Sequence, residues 1–327
     1  MHDPNQDNQL DPCWNRKIMQ IEEAIKLAGT EGQGINVAIL DTGVDYNHPG
    51  IKDRFDPQKK GHNFVLSQDP DEPIDDDVHG TLVARILAEK GSGVAPQVNL
   101  YAIKLSRTRE FPLRNIMEGL DWCVENSMDI VNMSLATHMY DRDFHKKCEK
   151  AYKKKIVLVA AAGNIETGAD FPASFYEEVI SVASIDSDMR HCVFSNVWPS
   201  IDVSAPGKDF YPLNEMPTSD DKEGTSYSAP QITGVIAIGL SMLRKNGKIT
   251  SPKEIEQVLK ETAMDLSDVE AVQKVISDRI EVYDPHRKLF KKDCFDGDAT
   301  LIQCMYGAGL VQAEKFIRRL KVIKGID

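Results

Sequence analysis

The chain has 327 residues, 41% hydrophobic and 28% charged, with a formal net charge of −12. That composition fits a soluble globular protein with a sizeable core, and the acidic balance argues against nucleic acid or an anionic membrane as the main partner. No apolar run approaches the roughly 20 residues of a membrane span, and the first 20 residues are polar, with Asp3, Asp7 and Asp11 where a secretory signal would be apolar. A cytoplasmic location is therefore expected, with secretion the alternative for a trimmed chain.

Residues 1–16 read as an irregular arm, and residues 17–27 carry helical spacing through Ile18, Ile21, Ala24, Ile25 and Leu27. Short, nearly uninterrupted apolar runs follow at 35–40, 99–103, 129–133, 155–160 and 179–183, with helical stretches at 81–89, 113–125 and 144–153 among them. This alternation predicts an α/β fold: a doubly wound, mostly parallel sheet covered on both faces, three layers in all. Ligands of such sheets bind beyond the carboxyl ends of the strands, so polar residues there are the candidates for chemistry.

Further on come a long apolar helix opening near Ser226, a helix at 252–262 and a charged, irregular region near 267–303 that reads as a surface insertion. An amphipathic helix built on Ala313, Phe316, Ile317 and Leu320 closes the chain. No repeat or linker divides residues 17–327, which form one expected domain. The six cysteines show no metal-ligand spacing and read as scattered thiols, with Cys294 and Cys304 as a pair that could close a short loop in an oxidising compartment.

Four motifs could carry chemistry. Asp41-Thr42-Gly43 ends the first apolar run, where an aspartate can orient a histidine or simply close a strand with an Asx-turn. His79-Gly80-Thr81 opens an apolar helix. Ala161-Ala162-Gly163-Asn164 exposes an asparagine whose amide can donate to an oxyanion, or makes an ordinary glycine-asparagine turn. Gly224-Thr225-Ser226 delivers a serine to a helix start, as an N-cap or as a nucleophile beside unpaired amides and the positive end of the helix dipole. Pro230 fits a first helical turn, whose amides have no intrahelical acceptor.

In the order Asp41, His79, Asn164, Ser226, these motifs closely resemble the subtilisin-like serine peptidase family. Asn132-Met133-Ser134-Leu135, Gly93-Val94-Ala95-Pro96, Phe171-Pro172-Ala173, Ser204-Ala205-Pro206-Gly207 and Tyr306-Gly307-Ala308-Gly309-Leu310 extend the likeness over nearly the whole chain. The resemblance implies a subtilisin-like fold and a serine endopeptidase, with Ser226 as nucleophile, His79 as base, Asp41 as its orienter and Asn164 in the oxyanion hole. It further implies that Ser134, Leu135, Ala136, Ala162, Gly163 and Thr225 bind substrate. A peptide ligase or macrocyclase using the same triad is the alternative reaction, and an inactive peptide-binding scaffold the non-enzymatic one.

The chain also departs from the family. Arg85 stands where a glycine permits close helix packing, Ala136-Thr137 where two glycines give room at the cleft rim, and Tyr227 where a methionine follows the nucleophile. These changes imply a specialised enzyme of narrow scope working on a protein or peptide. With too few residues before Ile35-Asn36-Val37 for the family's long prodomain, either residues 1–16 or a separate inhibitor or regulator could cover the site. No cofactor is expected for catalysis. The cluster Asp69, Asp71, Glu72, Asp75, Asp76 and Asp77 either offers oxygen ligands for a structural calcium or is a solvated acidic loop, and its charge beside the cleft should favour a cationic substrate.

Overall fold

Strands buried on both faces need no alternation, and among the described residues every residue of four of the seven strands is buried. A computed structural model describes residues 11–216, 222–275 and 300–327. Its strands are β1 (Asn36–Asp41), β2 (Gly61–Asn63), β3 (Asn99–Lys104), β4 (Ile130–Met133), β5 (Val157–Ala161), β6 (Val179–Ile185) and β7 (Val203–Pro206). They form one parallel sheet in the order β2-β3-β1-β4-β5-β6-β7. The five apolar runs are β1, β3, β4, β5 and β6. Two short strands, β2 and β7, are not visible as runs.

The helices given in full by the described residues are α1 (Trp14–Ile18), α2 (Ile21–Ala28), α3 (His79–Ala88), α4 (Leu113–Glu125), α5 (Arg142–Lys153), α6 (Thr225–Lys245), α7 (Pro252–Thr262), α8 (Leu301–Tyr306) and α9 (Ala313–Lys324). Apolar side chains of α2, α3, α6, α7 and α9 form one core with one face of the sheet, while Ile116 and Leu120 of α4 and Phe144 of α5 build the other. The layers are therefore three, as the alternation predicts. Helix α6 is buried nearly all round, because it runs under β4, β5, β6 and β7 with α2, α3 and α9 beyond it.

Strand β1 lies between β3 and β4, with Leu40 level with Met133 and Asp41 level with Lys104. Connections thus leave β1 in opposite directions on its two sides, and this switch point opens a crevice at the carboxyl ends. Much of the expected insertion near 267–303 lies outside the described residues, as do residues 1–10 of the expected arm. Residues 12–16 are anchored: the Pro12 carbonyl accepts from the Tyr211 amide, Trp14 Nε1 donates to the Asp209 carbonyl and Asn15 to Gln231. None of the described helices is long and apolar enough to cross a membrane.

Candidate active site

Asp41 ends β1 fully buried, and His79 begins α3, 5% exposed. The two meet through a 2.7 Å hydrogen bond between His79 Nδ1 and Asp41 Oδ1. The same carboxylate oxygen accepts the Thr42 amide at 2.8 Å, while Oδ2 is buried without a hydrogen-bond partner. Burial works against charge on the imidazole, but the Asp41 carboxylate outweighs it and holds the His79 pKa above its ordinary value. Gly80 makes this approach possible, since a Cβ there would come within 2.0 Å of the Gly43 carbonyl.

Asp75 fastens α3 to the end of β1. Its Oδ1 accepts from Thr42 Oγ1 at 2.8 Å, and its Oδ2 from the Thr81 amide at 2.9 Å and hydroxyl at 2.6 Å. It thus caps the helix from outside it, where Val78, the residue at the N-cap, offers no side-chain bond. The rest of the acidic loop is also threaded by donors. Lys104, fully buried, reaches Asp76 Oδ2 at 2.7 Å and holds that carboxyl below its usual range, and Arg109 binds Asp77 at 3.0 Å. Glu72 takes Lys60 at 3.1 Å. Asp69, Asp71, Glu72 and Asp76 are exposed, so the loop is solvated as well as braced, and its paired carboxylates hold its shape.

Ser226 is the second residue of α6, not its N-cap, which is Gly224. Its amide belongs to the first turn, without an intrahelical acceptor, at the positive end of a 21-residue helix. Pro230 lies beyond the first turn, contrary to expectation. Lacking an N–H, it leaves the Ser226 carbonyl without its i+4 donor. The Ser134 hydroxyl fills that place at 2.7 Å, itself held by Asn132 Nδ2 at 2.9 Å, whose Oδ1 accepts from Thr233 at 2.9 Å. A hydroxyl–amide chain therefore ties the end of β4 to the Ser226 turn. The Ser226 hydroxyl donates to the Ser134 carbonyl at 3.2 Å.

Asn164 follows β5, exposed at the crevice. Its Oδ1 accepts both the Thr225 amide at 3.0 Å and the Thr225 hydroxyl at 2.8 Å, which leaves Nδ2 as the group directed elsewhere. Thr225 Oγ1 also accepts the Gly163 amide at 3.2 Å. Thr225 is fully buried, so its hydroxyl orients Asn164. A cleft of about 250 Å³ gathers His79, Ser134, Leu135, Ala136, Gly163, Asn164, Thr225 and Ser226. Ala162 is the exception: its side chain packs with Ala183 and Ile201, and Ala161 lines the cleft instead, because neighbouring residues at a strand end face opposite ways.

A carboxylate-bound imidazole, a serine at a helix start and an oriented amide in one cleft are the parts of an acyl-transfer site. The comparisons agree with that chemistry. The model of the subtilase family, Peptidase_S8, matches residues 32–287. The chain belongs to the subtilase family. It is 32% identical to Subtilisin DY of Bacillus licheniformis over 257 residues, 75% of this chain and 89% of that protein. It is 34% identical to an intracellular serine protease of Paenibacillus polymyxa over 71% of this chain and 75% of the other. A solved lanthipeptide protease shares the fold across 95% of this chain and 99% of its own, with a TM-score of 0.69 and 20% identity. As a subtilase the protein is a serine endopeptidase, a hydrolase of peptide bonds in protein or peptide substrates.

Other features of this subtilase were missed or lie elsewhere. Arg85, in place of the glycine, is buried and turned to Glu89 at 3.2 Å, the Tyr211 hydroxyl at 2.8 Å and Glu215 at 3.3 Å. The segment at 211–215 thus receives the guanidinium. Tyr227 lies with its ring centroid 5.6 Å from that of His79, packing behind the imidazole. Nothing in the sequence singled out Asn132, Thr233 or Asp75 for their positioning roles. Among the described residues, His145, Glu149 and Glu178 gather potential metal ligands, but His145 pairs with Glu178 at 3.1 Å and Glu149 with Lys153 at 2.8 Å, away from the cleft.

Proposed function

We propose that this subtilase is a processing endopeptidase that acts through an acyl-enzyme on Ser226. His79 Nδ1 is committed to Asp41, so Nε2 is the base that takes the Ser226 proton as the hydroxyl turns from the Ser134 carbonyl. The hydroxyl oxygen attacks the scissile carbonyl. Negative charge then develops on the carbonyl oxygen and is met by Asn164 Nδ2 and the Ser226 amide. The imidazolium, stabilised by Asp41, returns its proton to the leaving amine. Water, activated by the same imidazole, hydrolyses the ester. The observation that carries this reading is the double anchoring of Asn164 Oδ1 by Thr225, which preorganises the opposite side of that amide for an incoming oxygen.

A specialised role is supported by Ala136 at the cleft wall, where the family leaves more room. The full-length likeness of fold to a lanthipeptide protease is in keeping with it. We place the enzyme in the cytoplasm, supported by the unpaired thiols of Cys123, Cys148 and Cys192, all buried, whose pKa values burial pushes up and so keeps unreactive. Cys294 lies outside the described residues. We further propose calcium-independent activity, because Asp75, Asp76, Asp77 and Glu72 already hold protein donors.

The test compares wild type with Ser226→Ala on a denatured protein substrate, by mass spectrometry, with calcium and with a chelator. Cleavage products carrying one added water, from wild type alone and at equal rate in both buffers, are expected. Cyclised products, turnover by Ser226→Ala, or silence of the wild type would each overturn the hydrolytic reading. Loss of activity in the chelator would overturn calcium independence.

A further inference from the structure

One carboxylate in the cleft takes no part in the acyl-transfer arrangement. Asp170, 1% exposed, lines the same cleft as Ser226. It lies directly under Gly163: a Cβ there would come within 2.0 Å of Asp170 Oδ2. The left-handed Gly163 (φ +109°) thus leaves a gap that the carboxylate fills from below. Asp170 Oδ2 accepts from Asn196 Nδ2 at 2.9 Å, and Oδ1 meets His138 Nδ1 at 2.6 Å.

Two loops build this floor. The segment after β4 carries Ser134 to His138, and Asp170 precedes Phe171. Paired backbone bonds zip them together, Thr137 amide to Phe171 carbonyl at 2.8 Å and Phe171 amide to Thr137 carbonyl at 2.9 Å. The wall beside Ser226 is therefore fixed in register with the Asp170 floor. Leu135, Ala136 and Ile165 give the space between an apolar lining.

Charge is unbalanced there. Asn196 is neutral, and among the described residues His138 is the one ionisable donor hydrogen-bonded to Asp170, a side chain 67% exposed at the mouth. The other cation of the lining, Arg109, binds Asp77 at 3.0 Å. The second carboxylate, Glu223, is exposed and 3.3 Å from Lys208. A buried carboxylate without a fixed cation is costly, and a ligand that brings one gains by pairing with it.

We propose that Asp170 selects substrates with a lysine or arginine flanking the scissile carbonyl, the cationic head displacing the exposed His138 ring and the aliphatic stem lying along Leu135 and Ile165. This rests on the proteolytic reading above and names its substrate class. It also adds a buried source of cationic preference at the cleft floor to the one expected of the acidic loop, where Glu72, Asp76 and Asp77 pair with Lys60, Lys104 and Arg109.

The test uses fluorogenic peptides identical except for Arg, Lys, Met or Glu before the cleaved bond. Wild type should cleave the Arg and Lys peptides with kcat/KM at least ~10-fold above Met, and Glu should be poorest. Asp170→Asn, checked for folding by its thermal melt, should collapse the Arg-to-Met ratio towards one. His138→Ala, which removes the competitor and keeps the carboxylate, should lower KM for Arg more than for Met, and it decides the matter if Asp170→Asn does not fold. Equal rates for Arg and Met, or a preference for Glu, would overturn the inference while leaving proteolysis intact. A folded Asp170→Asn that keeps the Arg preference would overturn the role of Asp170. Failure on all four peptides together with the denatured protein would overturn both readings.

Discussion

The two sides of the cleft are held by different chemistry. On the histidine side, Asp41, Asp75 and Asp77 are carboxylates that position His79 and the start of α3 through charge-assisted bonds. On the serine side, Thr225, Asn164, Ser134, Asn132 and Thr233 are neutral, and their hydroxyl–amide chain fixes Ser226 and the oxyanion donor. That contrast predicts which side should respond to pH. A proton added to His79 changes a charge beside Asp41, whereas the neutral chain has nothing to titrate near neutrality.

The largest expected effect breaks the neutral side at its functional end. Asn164→Ala should lower kcat about 10²–10³-fold with little change in KM, the range known for the equivalent loss in subtilisin. Thr225→Val, which removes one of the two bonds to Asn164 Oδ1, should act in the same direction but less, as seen in steady-state kinetics. If Thr225→Val raised KM instead, its hydroxyl would be reading substrate.

Breaking the charged side at Asp75 should cost stability as well as rate. Asp75→Ala frees Thr42 and Thr81 together, and chemical denaturation should show a loss of about 2–3 kcal/mol. An unchanged midpoint would mean that the loop, not its carboxylate, positions α3.

The pH profile sharpens the contrast. The His79 pKa is raised, so the stability it contributes is fully present below the unfolded value of about 6.5 and is lost as pH climbs through the higher folded value. Activity needs the neutral imidazole and runs the other way, rising through the same folded pKa. The acid limb of kcat/KM should therefore lie above 6.5, shift down in Asp41→Asn and stay in place in Thr225→Val. A limb that moved equally in both variants would merge the two sides into one network.

The smallest effect concerns the turn before His79. Val78 holds φ +115°, strained for a β-branched residue. Val78→Gly should raise stability by up to about 1 kcal/mol in thermal unfolding. A loss there would show that Val78 contributes more by restricting the unfolded chain than it costs in the fold.

Much of this architecture is legible in the order of residues. Five strands can be read because parallel strands covered on both faces become unbroken apolar runs; β2 cannot, being Gly61-His62-Asn63 with no aliphatic residue, nor can β7, whose four residues include Ser204 and Pro206. Asp41, His79, Asn164 and Ser226 are each weak signals beside a strand end or a helix start, and their order, which resembles a known family, is what picks them out. Pro230 misleads, since a proline near a helix start looks like a first-turn residue until the true start at Thr225 is known. Ala162 misleads because its facing depends on where β5 ends.

Apolar periodicity, a local property, makes the layered fold legible in the residue order, and the resemblance of the ordered motifs to a known family marks Asp41, His79, Asn164 and Ser226. Tertiary structure alone decided how those groups are held and what the cleft floor contains. Asp41 and His79 stand 38 positions apart, Thr225 and Asn164 61, Ser134 and Ser226 92. A hydrogen bond forms only over about 3 Å, and which of many hydroxyls and carboxylates comes that close depends on how the whole sheet folds. Asp170 is one acid among 51 until the fold sets it under Gly163.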